Sequence, residues 1–248
     1  MSTPARPETE LVVTASERIS PGMVRLRFRS DDLGAFAGSL YTDRYVKISF
    51  PQPDGSTIVR TYTALDPVPD DGTLAIDFVV HGTDGIAGPW AAAAEPGDRI
   101  SVRGPGGAYA PDPTADWHLL AADEAGLPAL RAAVAALPAD AKGYAVVHVP
   151  TMEHQQELPA PAGVQVSWVV DTAPAALVDA VRALAWLPGR VHVFVHGEAE
   201  AVMHGVRPYL TKERAVPRAD LSISGYWRRG RTEEGFRTWK QELAAAEA

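Results

Sequence analysis

The chain has 248 residues, 46% of them hydrophobic and 22% charged, which is typical of globular proteins and excludes fibrous, collagen-like and disordered chains. Lys and Arg total 23 against 31 Asp and Glu, and the resulting formal charge of -8 argues against a general nucleic-acid-binding protein. Because cysteine is absent, disulfides, thiolate metal sites, cysteine-held iron–sulfur clusters and cysteine nucleophiles are excluded, so redox chemistry would need a bound organic cofactor.

The N-terminal residues carry no targeting pattern. Residues 1–10 are polar, with two prolines and two glutamates, unlike a secretory signal. The apolar stretches are far shorter than the roughly 18–20 residues that span a bilayer. We therefore expect a cytoplasmic protein with no membrane partner.

The first part of the chain reads as short strands separated by turns. In Met23 to Ser30, Val24, Leu26 and Phe28 alternate with arginines, the period-two pattern of a half-buried antiparallel sheet. A short helix is predicted over Ile86 to Ala94. Six such strands predict a closed or nearly closed β-barrel. The predicted strands are Glu10 to Arg18, Met23 to Ser30, Tyr45 to Phe50, Thr57 to Ala64, Thr73 to Val80 and Arg99 to Arg103.

After Pro111-Asp112-Pro113 the pattern changes to alternating strands and helices. The strands are continuously apolar, as expected where helices cover both faces of a parallel sheet. We predict a β-barrel domain over 1–113 and an α/β domain over 114–248. The predicted strands are Trp117 to Ala122, Gly143 to Val149, Val164 to Val170, Arg190 to Val195 and Leu221 to Ser224; the predicted helices are Leu127 to Leu137, Ala175 to Leu184, Glu198 to Thr211 and one from Thr232 onward.

Two segments of the barrel domain could bind a nucleotide. Arg60 and Tyr62 share one face of a predicted strand, so a cation and an aromatic ring can meet one ligand that carries phosphate and a flat ring. A glycine-rich turn at 81–85 precedes a helix, where backbone N–H groups and glycines can hold a diphosphate. Each pattern alone also fits an ordinary barrel strand or a tight turn.

Two segments of the α/β domain carry charge at positions suited to ligands. Asp123 and Glu124 follow the first strand of that domain, the edge at which such folds bind ligands, although two acids there disfavour a phosphate and could simply cap the helix. Arg228, Arg229 and Arg231 lie beside Tyr and Trp and would suit an acidic, aromatic ligand.

Taken together, these motifs resemble those of the siderophore-interacting proteins, flavin-dependent ferric-siderophore reductases of the ferredoxin-reductase-like superfamily. The resemblance covers nearly the whole chain. It departs at Ile86-Ala87, where the family usually has Pro-Ala, and at Ala125-Gly126, where it commonly has Thr-Ala. The segments that carry it are R-T-Y-T at 60–63, D-F-V-V-H-G-x-x-G at 77–85 with Trp90, P-G-D at 96–98, A-D-E-x-x-L-P-A at 122–129, H-G-E at 196–198 and G-Y-W-R-R-G at 225–230.

The resemblance implies which residues bind cofactor and substrate. The arginine of R-T-Y-T would face the FAD phosphates, the tyrosine the isoalloxazine ring and the second threonine its reactive edge. The acidic pair replaces the glycine-rich nicotinamide loop of ordinary ferredoxin reductases. The expected cofactor-binding residues are Arg60, Thr61, Tyr62, Thr63, Asp77, Val79, His81, Gly82, Gly85, Ile86, Ala87, Trp90, Asp123 and Glu124. The expected substrate-binding residues are Lys47, Arg228, Arg229 and Arg231.

The resemblance implies that FAD passes electrons singly to Fe(III) held in a siderophore, with NAD(P)H or a ferredoxin partner as the donor. This electron transfer requires no catalytic acid or base and no metal ligand from the protein. Two alternatives remain open: a flavin-dependent NAD(P)H reductase with another acceptor, and a binding protein that captures ferric siderophores without redox chemistry.

His192 and His196 are four residues apart on a predicted strand and share a face. That spacing permits a metal site, but no third ligand with suitable spacing follows. We therefore expect buried strand histidines, and the same interpretation applies to His148 and His154.

Overall fold

The computed structural model describes residues 8–80 and 85–230. The chain forms two compact units: one contains the residues up to Ala110 with Arg131–Ala136 and Glu153–Glu157, and the other contains the remainder from Pro111. The predicted domain limits of 1–113 and 114–248 stay a prediction, because neither unit is continuous in sequence. Within the described residues, no helix is long and apolar enough to cross a membrane.

The first unit is built on a seven-stranded antiparallel sheet with the order β4-β3-β7-β1-β2-β6-β5. Its two edge strands, β4 and β5, are separated in the chain by Ala64 alone, so the sheet must curl until its edges meet, as a barrel requires. A helix, α1, follows β6. The elements are β1 Glu8–Ser20, β2 Met23–Arg29, β3 Tyr45–Pro51, β4 Thr57–Thr63, β5 Leu65–Val68, β6 Thr73–Val79, α1 Ala87–Ala93 and β7 Arg99–Gly106.

Alternation along the strands places the barrel core. Val24, Leu26 and Phe28 of β2 are all buried, whereas Arg27 and Arg29 are exposed, as the period of two predicts. The sequence prediction missed β5, because Asp66 and Pro67 argue against a strand there. Asp66 has a φ of 45°, and β5 pairs with β6 through an irregular register.

The second unit is built on a five-stranded parallel sheet with the order β10-β9-β8-β11-β12. The central strand β8 is buried along its whole length, which explains its continuous apolar pattern. The predicted fold class, an antiparallel barrel followed by an α/β domain, is confirmed. The elements are β8 Trp117–Asp123, α2 Leu127–Ala135, β9 Lys142–Val149, β10 Gly163–Val170, α3 Ala176–Ala183, β11 Val191–Glu198, α4 Glu200–Val206, α5 Tyr209–Glu213 and β12 Leu221–Trp227.

The helical segment after β11 is wider than an α-helix. The Arg207 N–H bonds to the Val202 carbonyl, and the Arg214 N–H bonds to the Tyr209 carbonyl at 3.0 Å, both spaced five residues apart. Pro208, which has no N–H to donate, lies between α4 and α5. The helix predicted from Thr232 onward lies outside the described residues.

Candidate functional site

Strand β4 places Arg60 and Tyr62 on one face of the barrel sheet. They lie opposite Ile48 and Val46 of β3, both of which are fully buried. The Tyr62 ring packs on Phe78 of β6, with ring centroids 4.5 Å apart. Arg60 and Tyr62 are each only partly buried, so this face presents a cation and an aromatic ring at the boundary between core and surface.

Aromatic side chains support Tyr62 from behind. Phe78 is fully buried and packs against Trp90 of α1, with centroids 5.8 Å apart, and Trp90 in turn meets Phe50 edge-on at 5.7 Å. These contacts fix the Tyr62 ring in the barrel wall. Trp90, which the sequence predicted to contact the cofactor, therefore also packs against the barrel core.

The opposite face of β4 carries Thr61, which is exposed, and Thr63, which is 6% exposed. Lys47 of β3 lies opposite Thr61 on one side and Arg103 of β7 on the other. Because side chains alternate along a strand, Lys47 projects to the face away from Arg60 and Tyr62. The structure therefore groups Lys47 with Arg103 rather than with the two expected flavin contacts.

The described residues on either side of 81–84 end β6 and lead into α1. Val79 and Ile86 are half-buried and Ala87 is buried, whereas Gly85 has a φ of 79° and no atom within 4 Å of where a Cβ would stand. A left-handed backbone beside open space is what a close ligand needs from a glycine. His81 and Gly82, expected at the diphosphate, lie outside the described residues.

Asp77 forms an ion pair with Arg25. Its two carboxylate oxygens accept hydrogen bonds from Arg25 Nε at 2.7 Å and Arg25 Nη2 at 2.8 Å, directly across the β2–β6 pair. Asp77 is 2% exposed, so this ion pair is largely shielded from water. The ion pair accounts for an aspartate at this place in the motif.

A buried carboxylate lies at the carboxyl end of β8. Asp123 Oδ1 accepts hydrogen bonds from the N–H groups of Ala125 and Gly126 at 2.9 and 3.1 Å. Its Oδ2 accepts from the Glu198 N–H at 2.8 Å and the Trp227 indole N–H at 2.7 Å. Burial raises the pKa of Asp123, and these four donors oppose the rise by favouring the charged form.

The neighbouring acid, Glu124, is 9% exposed. Burial, followed by the proximity of Asp123, raises the pKa of Glu124 to about 7. A carboxyl group near neutrality can hold or release a proton at physiological pH. Asp123 and Glu124 thus differ in chemistry although they are adjacent in sequence.

Asp123 and the end of β11 pack so closely that Gly197 must be a glycine. A Cβ on Gly197 would stand 2.9 Å from the Asp123 carboxyl carbon, well inside normal contact. The missing side chain lets the Asp123 carboxylate reach the Glu198 N–H. The H-G-E segment at 196–198 therefore completes the hydrogen-bond set of the A-D-E segment at 122–124.

Two of the three arginines of the expected substrate site, Arg228 and Arg229, directly follow β12. The Arg229 N–H donates to Glu198 Oε1 at 3.1 Å, and its exposed guanidinium lies 5.8 Å from the centre of the Trp227 ring. Arg228 Nη2 pairs with Glu200 Oε2 at 3.0 Å. Arg231 lies outside the described residues.

The strand histidines have hydrogen-bond partners. His196 is 3% exposed, with Nδ1 2.8 Å from the Tyr226 hydroxyl and Nε2 3.0 Å from the Ser222 hydroxyl. His192 Nδ1 accepts from the Asp112 N–H at 3.1 Å. In the parts of the chain that the structure describes, no three His, Asp or Glu side chains form a metal-binding group.

Sequence reasoning did not single out Glu198 and Trp227, although both lie within quoted motifs. Their roles depend on contacts with Asp123 from strands 75 and 104 residues away, and no local pattern reports such contacts. The available signal was that three motifs each end a predicted parallel strand, since such ends meet at one edge of the sheet.

Family models match both parts of the chain. Residues 54–109 match the siderophore-interacting FAD-binding domain, and residues 115–230 match the siderophore-interacting protein model. Among solved structures, the siderophore-interacting protein SipS from Aeromonas hydrophila superposes with a TM-score of 0.84 and 28% identity, covering 98% of this chain and 100% of that one. The ferredoxin reductase in carbazole 1,9a-dioxygenase shares the fold, with a TM-score of 0.71 at 18% identity over 89% of this chain and 70% of that one.

Relatives also match over most of their length. An uncharacterized protein of Mycobacterium tuberculosis is 46% identical over 98% of both chains. The ferric vibriobactin reductase ViuB of Vibrio cholerae is 30% identical over 88% of both, and the NADPH-dependent ferric-chelate reductase of Escherichia coli is 29% identical over 88% of this chain and 92% of that one. The chain therefore belongs to the siderophore-interacting protein family.

Proposed function

We propose that the protein is an FAD-dependent reductase of ferric siderophores that releases Fe(II) in the cytoplasm. The observation that best supports the proposal is that Arg60 and Tyr62 share one half-buried face of β4. This strand lies inside the segment that matches an FAD-binding family. A protein that only bound a chelate would need no aromatic wall beside a phosphate-binding cation.

The barrel residues fit FAD. Arg60 would neutralise phosphate, Tyr62 would cover a face of the flavin ring, and the open turn at Gly85 would let phosphate approach the backbone. When bound, FAD accepts two electrons from a reductant and returns them one at a time. Tyr62, which packs on the buried Phe78, would hold the ring in place.

The overall reaction balances with two ferric ions for each nicotinamide: NAD(P)H and two Fe(III)-siderophores give NAD(P)⁺, a proton, two Fe(II) and two iron-free siderophores. The hard oxygen ligands of a siderophore hold Fe(II) less tightly than Fe(III), so reduction frees the iron. Arg228, Arg229 and Arg231 would attract an anionic chelate, while the net charge of -8 repels anions elsewhere on the surface. Lys47, expected at the same substrate, projects to the barrel face away from Tyr62 and is not part of this proposal.

NADPH is the donor that the comparisons favour. The relative from Escherichia coli is named as an NADPH-dependent ferric-chelate reductase and matches 88% of this chain. A ferredoxin is the alternative donor, because Asp123 and Glu124 occupy the place of a glycine-rich nicotinamide loop. Parallel assays with NADH, NADPH and a reduced ferredoxin decide between them.

The first experiment is the visible absorption spectrum of the purified protein, followed by anaerobic reduction and addition of a ferric catecholate or a ferric hydroxamate. We expect flavin absorption that bleaches on reduction and returns when a chelate is added, with Fe(II) trapped by a ferrous-specific dye. A protein that takes up no FAD contradicts the proposal and favours a non-redox binding protein. Flavin that is reoxidised by quinones but by no ferric chelate favours a reductase with another acceptor.

A further inference from the structure

Asp123 is connected to Arg229 through the side chain of Trp227. The indole N–H donates to Asp123 Oδ2 at 2.7 Å, which fixes the rotation of the ring. The guanidinium of Arg229 lies 5.8 Å from the centre of that ring, within the range of a cation–π contact. The buried Asp123 carboxylate therefore orients the Trp227 ring, and the ring contacts the exposed Arg229 guanidinium.

A second connection runs through Glu198. Its N–H donates to Asp123 Oδ2 at 2.8 Å, and its own Oε1 accepts from the Arg229 N–H at 3.1 Å. Its other oxygen, Oε2, accepts from the Ala201 N–H at 2.9 Å, which anchors the carboxylate to the start of α4. The backbone and the side chain of Arg229 are therefore both held by groups that bond to Asp123.

Arg228 is held in a different way. Its guanidinium pairs with Glu200, whose side chain is 60% exposed, so much of that pair lies in water and holds its geometry weakly. The position of Arg229 is set by groups that bond to the buried Asp123 carboxylate. An oriented cation loses less conformational entropy when it binds an anion than one that moves freely.

We propose that Asp123, acting through Trp227, is a positioning residue that holds the Arg229 guanidinium ready for an anionic ferric chelate. The inference rests on the proposed function and deepens it, because it assigns a cause to substrate affinity. It also gives Asp123 a role other than touching the cofactor: its two oxygens accept four hydrogen bonds from the protein itself.

A purely structural role for Asp123 makes different predictions. Loss of a structural bond would lower stability and affect all substrates alike. Loss of a positioning bond would raise KM for a strongly anionic ferric tris-catecholate, leave KM for an uncharged ferric tris-hydroxamate unchanged, and do so only while Arg229 is present.

The test is a double-mutant cycle with Trp227→Phe and Arg229→Met, measured by steady-state reduction of both chelates. Trp227→Phe keeps an aromatic ring but loses the N–H. We expect it to raise KM for the catecholate about threefold to tenfold, to change kcat less than twofold, and to have no further effect once Arg229 is Met. Asp123→Asn, which keeps the side-chain shape, should raise the same KM if it folds.

Trp168→Phe is the matched control, because Trp168 lies on β10 at the opposite edge of the same sheet from β12. We expect it to leave both KM values unchanged. Equal effects of Trp227→Phe on the two chelates, or an undiminished effect in the Arg229→Met background, would overturn the inference.

A measurement without substrate separates this inference from the proposed function. In ¹⁵N-labelled holoenzyme, the Arg229 Nε–H resonance, identified by its loss in Arg229→Met, should move in Trp227→Phe and stay in place in Trp168→Phe. If it does not move in Trp227→Phe, the positioning contact is absent even if the enzyme reduces ferric chelates. If it moves but the wild-type protein reduces no ferric chelate, the proposed function fails, and with it the substrate that this inference assigns to Arg229.

Discussion

The two ends of the parallel sheet satisfy their charged groups in opposite ways. At the amino end, Arg190 bridges the segments before β8 and β12: its guanidinium donates to Asp112 and Asp220, each at 2.7 Å. At the carboxyl end, Asp123 is held by three backbone N–H groups and one indole. Among the described contacts, the amino end pairs a cation with two anions, whereas the Asp123 carboxylate at the carboxyl end is bound by neutral N–H donors.

The difference explains why the carboxyl end can serve a ligand. At the amino end the Arg190 guanidinium is paired with carboxylates of the protein itself. Hydrogen bonds from Arg190 and Thr114 hold the pKa of Asp112 well below its usual range. At the carboxyl end Arg228 and Arg229 directly follow β12. Glu198 accepts a hydrogen bond from the Arg229 N–H, and Arg229 is exposed. Ligands of parallel α/β sheets bind beyond the carboxyl ends of the strands, and Arg229 lies exposed at that edge.

Filling the space beside Gly197, at the carboxyl end of the parallel sheet, should have the largest effect on the free energy of unfolding. Gly197→Ala would place a Cβ 2.9 Å from the Asp123 carboxyl carbon, which must then move away from its donors. We expect the free energy of unfolding to fall by about 3 kcal/mol, from overpacking and weakened hydrogen bonds, as measured by urea denaturation. Gly38→Ala is the control, because a Cβ there would meet nothing within 4 Å. A Gly197→Ala protein as stable as the control would show that the carboxylate is not tightly held.

The sequence predicted the elements that periodicity defines and missed the contacts that tertiary packing creates. The alternation in β2 and the apolar run in β8 placed both strands correctly, because burial of one or of both faces leaves a local pattern. Strand β5 was missed, since its pairing overrides the local preferences of Asp66 and Pro67.

The same distinction holds in the candidate site. The sequence placed Arg60 and Tyr62 on one face, as strand geometry requires. It could not show that Asp77 is paired with Arg25, or that Lys47 faces away from Tyr62, since both depend on the register between strands. The predicted family and its class of enzyme, an oxidoreductase, are confirmed by the comparisons. The individual cofactor and substrate contacts stay a prediction.

The amino end should be sensitive to acid. Burial, followed by the charge of nearby His192, lowers the pKa of His118 to about 4, and the residue is 2% exposed. The unfolded chain takes up this proton at about pH 6.5 and the folded chain only near pH 4, so the stability contributed by neutral His118 is lost as pH falls between these values. We expect wild type to lose about 2 kcal/mol more than His118→Gln over this window, as measured by urea denaturation at each pH.

The pH dependence at the amino end has further contributors, which the variant must separate. His192, whose pKa burial also lowers, acts in the same direction, whereas Asp112 favours the protonated form of both rings. The difference between wild type and His118→Gln isolates one ring from this group. Parallel stability curves for the two proteins would contradict the assignment to His118.

At the carboxyl end, the free energy of unfolding should fall as pH rises, which is the opposite of the amino end, and the change should be smaller. Burial and Asp123 raise the pKa of Glu124 from its usual 4.5 to about 7, so the folded protein keeps a proton that the unfolded chain has already lost. Between these values the unfolded state binds fewer protons, and stability falls as pH rises, with the full cost present above pH 7. Glu124→Gln keeps the neutral shape at every pH. We expect it to gain about 1 kcal/mol on wild type between pH 4.5 and 7.5, as measured by urea denaturation at fixed FAD. Glu157→Gln, the same exchange at an exposed residue, is the control, and a gain of the same size there would mean that general charge, not burial at this edge, sets the effect.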